Sequence, residues 1–271
     1  MSEFNLFRDL SHLTDSTMED GLTFQGEKGH RISAILSRPD GPSDIVVVLC
    51  HGFLSNKNST TNKTLTRLLN ERGIATFRFD FFGQGDSEGR FEDITTSLAV
   101  EQTLAAVTKV ISVGFKTIGL VGSSFGGLVS ILATAQRMDI SCLALKCPVV
   151  DFAEELRLEF GEQEMARWKA TGTIPNITGG AGRIPLRYHF YEDCLHRIAY
   201  EPAGSITAPT LIVQGDQDEH VPLHQSRRLY EMLSGKKRLE IVPGADHQFT
   251  KGEDFARMTN LIAYWLTEHL T

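Results

Sequence analysis

Ile45-Val46-Val47-Val48-Leu49-Cys50 is an unbroken apolar, largely β-branched run, the pattern of a parallel strand covered on both faces. Leu65, Leu68 and Leu69 then follow at helical spacing and stop at Gly73, a natural helix terminator. Ile74 to Phe79 returns to a strand pattern, and Val100, Leu104, Val107 and Ile111 mark one face of a second helix. The rhythm repeats: Thr117 to Val121 as strand, Phe125 to Arg137 as apolar helix, Cys142 to Lys146 as strand. After a break come a strand over Thr210 to Val213, a helix from about Pro222 and a strand over Arg238 to Val242. A last helix carries Phe255, Met258, Ile262 and Trp265 on one face. Leu22 to Phe24 and Arg31 to Ser37 precede all this as an antiparallel lead-in pair. Strands alternating with helices predict an α/β fold: a mostly parallel central sheet flanked by helices, in one domain over residues 1–271.

The break, about 151–204, is too long for a structureless connection. It holds a charged amphipathic stretch from Glu154 to Trp168, Gly/Pro-rich turns and the aromatic run Tyr188-His189-Phe190-Tyr191. It is predicted to be a small cap inserted over the strand ends.

The chemistry gathers where strands end. Gly122-Ser123-Ser124-Phe125-Gly126 fits G-x-S-x-G and lies between an apolar strand and an apolar helix. A turn that sharp holds its middle residue in a strained conformation with the side chain exposed, and needs glycine where the backbones crowd. Of the two adjacent serines, only Ser124 has glycine two before and two after; Ser123 would need a glycine where Val121 stands. The plainer alternative is a tight turn with an incidental serine. A serine hydroxyl needs a base within hydrogen-bond reach. Two later loops supply carboxylate and imidazole in the order this architecture uses: Gly215-Asp216-Gln217-Asp218-Glu219-His220 and Pro243-Gly244-Ala245-Asp246-His247. Ser124, Asp218 and His247 are therefore the predicted nucleophile, orienting acid and base. Asp216 is read as bracing its turn, Asp246 as diverging from the adjacent ring, and His269 as terminal. The predicted oxyanion hole pairs the N–H of Phe125 with that of Phe53, from His51-Gly52-Phe53 after the first parallel strand. His51 is read as structural, and Asp80 to Gly89 as a turn braced by Asp80 and Ser87. Trp168, Tyr188, Phe190 and Tyr191 are candidates for the substrate pocket, with core packing the plainer alternative.

Charge and composition narrow the field. A net charge of −7 over 271 residues lacks the basic face of a nucleic-acid binder. No apolar run reaches the ~18 residues of a membrane span, and Met1 to Arg8 lacks a leader pattern. The expectation is a cytoplasmic protein whose partner is a small-molecule ester, with no nucleic acid, no membrane span and no cofactor. The cysteines Cys50, Cys142, Cys147 and Cys194 show no zinc spacing. Asp216, Asp218, His220 and His224 are the one metal-like grouping, disfavoured because Pro222 opens a helix between the histidines.

Taken together, the elbow, His51-Gly52-Phe53, Asp80…Gly83-Gln84-Gly85-Asp86-Ser87, Gly215…Asp218 and Gly244-Ala245-Asp246-His247 resemble the α/β-hydrolase superfamily, from about Leu22 onward. His51-Gly52-Phe53-Leu54-Ser55-Asn56-Lys57 and Phe77-Arg78-Phe79-Asp80 are similar to bacterial cinnamoyl/feruloyl esterases. That resemblance implies a serine carboxylesterase for small esters with apolar or aromatic acyl groups, its cap shaping the pocket. Many members carry His where this chain has Ser123, which implies altered pocket polarity. Amide or thioester cleavage by the same triad, and a catalytically inactive receptor on this scaffold, are the alternatives.

Overall fold

The computed structural model describes residues 18–178 and 183–271; Met1 to Arg8, on which the expectation of no leader rests, lie outside them. The chain begins with β1 (Met18–Gln25) and β2 (Arg31–Arg38), then β3 (Ile45–Cys50), α1 (Thr60–Asn70) and β4 (Ala75–Phe79). α2 (Thr96–Ser112), β5 (Thr117–Ser123), α3 (Phe125–Thr134) and β6 (Ile140–Lys146) follow. The inserted segment contains α4 (Phe152–Thr171), the two-residue strands β7 (Thr173–Ile174) and β8 (Leu186–Arg187), α5 (His189–Cys194) and α6 (Tyr200–Ala203). The chain closes with β9 (Thr210–Gly215), α7 (Leu223–Met232), β10 (Lys237–Val242) and α8 (Gly252–Leu270).

Eight strands form one sheet in the order β1-β2-β4-β3-β5-β6-β9-β10. β1 pairs antiparallel with β2, and β2 with β4; every later pairing is parallel. The predicted mostly parallel sheet with an antiparallel lead-in is borne out. Alternation along β3 divides the core. Val46 and Val48 face a cluster with Val107 and Val110 of α2 and Leu128 and Ile131 of α3. Val47 and Leu49 face Leu65 and Leu69 of α1 and Ile262 and Leu266 of α8. A strand buried on both sides has no polar face to show, which is why its sequence reads as one continuous apolar run.

Side chains set the helix starts. Ser59, Thr95 and Asp151 each accept a hydrogen bond from the backbone N–H three residues on, at 3.3, 3.0 and 2.8 Å, and so open α1, α2 and α4. α4 is longer than the sequence pattern suggests and is broken by non-helical Gly161 (φ 67°, ψ 170°). Its apolar periodicity is therefore two short registers, which blurs any single amphipathic reading. No helix among the described residues is long and apolar enough to cross a membrane. The consequence for function is positional: β3, β5, β6, β9 and β10 run the same way, so the loops that follow them share one edge of the sheet.

Candidate active site

Ser124 stands between the last residue of β5 and the first of α3, at φ 52° and ψ −117°. Positive φ is costly for a residue with a β-carbon and persists only where the surroundings dictate it. Here they do. The Ser124 N–H donates to the Lys146 carbonyl at 2.9 Å, and its own carbonyl accepts from the N–H groups of Gly127 and Val149 at 2.8 and 3.1 Å. The strand and helix cross so closely that a β-carbon at Gly122 would sit 2.3 Å from the Gly126 carbonyl oxygen. One at Gly126 would sit 2.2 Å from the Cys50 carbonyl oxygen, a backbone atom with nowhere to move. Gly126→Ala is accordingly expected to destabilise the fold by about 1–3 kcal/mol, the usual cost of overpacking, read as a lower midpoint in urea unfolding.

The loop after β3 approaches from the other side. His51 is buried and neutral: burial pushes its pKa down to about 4. Its Nδ1–H donates to the Gly52 carbonyl at 2.8 Å while Nε2 accepts from the Phe81 N–H at 3.2 Å. The ring thus pins the turn that carries Phe53, and so has a structural place. Behind it, Asp80 accepts from the Lys57 N–H (2.6 Å) and the Asp86 N–H (2.8 Å), and Ser87 Oγ donates to the Asp80 carbonyl at 2.7 Å. Among the described residues, neither the Phe53 N–H nor the Phe125 N–H has a protein acceptor.

Asp218 and His247 meet directly. His247 Nδ1 lies 2.9 Å from both Asp218 carboxylate oxygens, and both side chains are buried. The carboxylate is fixed on all sides. Oδ1 accepts from the His220 and Val221 N–H groups at 3.0 and 2.8 Å, and Oδ2 accepts from Gln214 Nε2 at 2.6 Å. Burial alone would raise its pKa, but the His247 hydrogen bond and charge, with the Val221 N–H, bring it below the ordinary value. For His247 the balance falls the other way. Burial outweighs Asp218, and with the Lys146 charge it holds the imidazole pKa below 6.5. The two loops are stitched together by the Gly244 N–H donating to Asp216 Oδ1 (2.6 Å) and the His247 N–H donating to Glu219 Oε2 (3.1 Å). Asp246 turns away to cap its own loop, accepting from the Thr250 N–H at 2.9 Å, and His269 bonds the Trp265 carbonyl.

Ser124 and this pair are linked through β6. Cys147 follows the Lys146 carbonyl that holds Ser124, and its Sγ lies within 4.8 Å of the nearest Asp218 and His247 ligand atoms. No hydrogen bond joins the Ser124 hydroxyl to His247 among the described residues. Among the described residues, the disfavoured metal-like grouping of Asp216, Asp218, His220 and His224 is not brought together, whereas Cys147, Asp218 and His247 are. His224 instead pairs with Glu154 at 3.1 Å.

Of the aromatics between β6 and β9, Trp168 is fully buried and donates to the Leu186 carbonyl at 3.0 Å. Tyr188 and Tyr191 stack beside it, with centroids 5.4 Å apart. Phe190 is packed 5.1 Å from Phe53, 6.2 Å from Phe125 and 5.3 Å from Phe152. Three residues at the site went unmarked in the sequence. Cys147 reads there as a small buried hydrophobe, Lys146 as the end of an apolar strand, and Glu155 as one more charge on an amphipathic helix. Glu155 carried a usable signal: it falls between Phe152 and Leu156, both buried, on the apolar face of α4.

Comparison with known proteins agrees with this fold. Residues 47–257 match the model of the alpha/beta hydrolase family. An uncharacterized 31.7 kDa protein of the traX-finO intergenic region of Escherichia coli is 24% identical over 95% of this chain and 99% of its own length. The mitochondrial palmitoyl-protein thioesterase ABHD10 of Homo sapiens is 24% identical over 82% of this chain and 76% of its own. Est1E of Butyrivibrio proteoclasticus, solved with ferulic acid bound, superposes with a TM-score of 0.80 at 25% identity, covering 92% of this chain and 98% of that one. The resemblance drawn from the motifs is thus borne out, and the chain belongs to the alpha/beta hydrolase family.

Proposed function

We propose that the protein is a serine hydrolase of carboxylic esters that works through an acyl-enzyme on Ser124. The observation that carries this reading is the buried Asp218–His247 pair at 2.9 Å, on the sheet edge that also holds strained Ser124 and two unpartnered N–H groups. With Nδ1–H committed to Asp218, His247 keeps a lone pair on Nε2 for the serine proton. Ser124 Oγ attacks the ester carbonyl as its proton passes to Nε2. The oxyanion so formed accepts from the Phe53 and Phe125 N–H groups. The tetrahedral intermediate collapses, the C–O bond to the alcohol breaks, and the imidazolium returns its proton to the departing oxygen. Water then repeats the sequence on the acyl-enzyme, releasing the acid and restoring Ser124. Residues 151–204 serve as a cap that shapes the acyl pocket, with Phe190 against the oxyanion loop and Trp168, Tyr188 and Tyr191 giving it rigidity.

Ester over amide is favoured by the ferulic-acid complex of Est1E, and a thioester is the second reading, favoured by the named activity of ABHD10. A panel of nitrophenyl esters, acyl thioesters and aminoacyl anilides separates the three. Higher kcat/KM on anilides sinks the ester assignment, and failure of a fluorophosphonate to label Ser124 sinks the hydrolase. The depressed His247 pKa fixes the pH response. The base must be neutral, so kcat/KM is expected to be flat at neutral pH and to fall tenfold per unit on the acid side, with a midpoint below 6.5. A midpoint above 6.5 in the pH profile contradicts the burial argument.

A further inference from the structure

A cavity of about 470 Å³ opens between α4 and the loop that carries Asp218. Four carboxylates line it: Glu155 and Glu159 from the cap helix, Asp218 and Glu219 from the loop. No lysine or arginine does; the remaining wall is Leu158, His220 and Pro222. Two of the four charges have partners, since Asp218 is held by His247 and Glu219 accepts from the His247 N–H. Glu155 has none. It is only 8% exposed, and its Oε2 is a buried oxygen without a hydrogen-bond partner. A buried carboxylate left unpaired is costly, and proteins rarely retain one without a use. Burial, aided by Glu159 and Asp218, pushes its pKa well above the usual carboxyl value.

We infer that this cavity is a subsite for an organic cation carried by the ester, with Glu155 as its principal counter-ion. The inference rests on the proposed function and names its substrate class. A metal ion fits less well, because among the described residues these carboxylates do not converge closely enough to share one. An alkylammonium group spreads its charge over a volume the cavity can hold and needs no inner ligand shell. A cation bound beside Glu155 favours its ionised form, so binding is coupled to loss of the carboxyl proton and the carboxylate is paired instead of neutralised. Glu159 and Glu219 add longer-range attraction, with the His220 ring 3.6 Å from Glu219 and His247 behind Asp218.

The test uses two esters of equal shape, butyrylcholine and 3,3-dimethylbutyl butyrate. Their kcat/KM ratio is expected to favour the cation by about tenfold or more, and Glu155→Gln to remove most of that preference, as for loss of the opposite charge from a partly desolvated ion pair. A ratio near one, or a ratio unmoved by the substitution, overturns the subsite. Hydrolysis of the neutral ester reports on the hydrolase assignment separately. Binding keeps the question open to decision if neither ester is cleaved. In calorimetry across two buffers, choline is expected to bind with proton release and 3,3-dimethylbutanol without it. Choline binding without proton release, or no tighter than the alcohol, also overturns the inference. Glu155→Gln has no ionisation penalty and is expected to melt no lower than wild type at pH 8; if it fails to fold, Glu159→Gln is read instead, with a smaller loss of preference.

Discussion

Ser124→Ala is expected to lower ester turnover by about 10⁶, with the protein still folded. The size follows from how the group works, because the imidazole, carboxylate and N–H donors have no role in acyl transfer without an oxygen to receive the acyl group. What remains is the activation of water by the binding site alone. The substituted residue keeps the same backbone demand, φ 52°. The elbow is held by main-chain bonds to Lys146, Gly127 and Val149, so its geometry survives loss of the hydroxyl. Stopped assays on nitrophenyl esters, with fluorophosphonate labelling as the occupancy check, measure the effect. Residual turnover within a hundredfold of wild type would place the nucleophile elsewhere.

Asp218→Asn should cost about 10⁴ in kcat while leaving the fold intact, for a reason of tautomers rather than charge alone. The two N–H groups of His220 and Val221 require an acceptor at the Oδ1 position. An asparagine must therefore put its carbonyl there and its NH₂ where Oδ2 now accepts from Gln214 and faces His247. That NH₂ then confronts Nδ1–H, while the carbonyl at the Oδ1 position, also 2.9 Å from Nδ1, is already taken by two N–H groups, so the imidazole moves its proton to Nε2, the nitrogen proposed to accept from serine. The loss should appear in kcat far more than in KM, and circular dichroism should be unchanged. A drop of less than tenfold would mean that Asp218 does not set the tautomer.

The fold was legible because a buried parallel sheet leaves a coarse trace: strands with no polar face, helices with one apolar stripe, and glycines where backbones cross. Residues with a demanded geometry were legible for the same reason. Ser124 needs Gly122 and Gly126 beside it, and Asp218 and His247 follow strand ends in fixed order. The inserted segment resisted. Its helix changes register at Gly161, and the paired strands β7 and β8 are two residues each, too short for any periodicity to register. Glu155, Lys146 and Cys147 were hidden differently. The importance of Lys146 and Cys147 comes from what folds against them, and Glu155 was marked only by its place between buried Phe152 and Leu156.

The rings of Phe53, Phe125, Phe152 and Phe190 are each within 6.2 Å of the other three. Two belong to the backbone segments proposed to cradle the oxyanion, and two to the segment between β6 and β9 proposed as a lid. On that proposal selectivity and rate would be mechanically geared: a lid exchanged for that of a cousin would bring its own phenyl contacts and displace the amides that hold the oxyanion. Such grafts should succeed only when positions 53 and 125 travel with the lid.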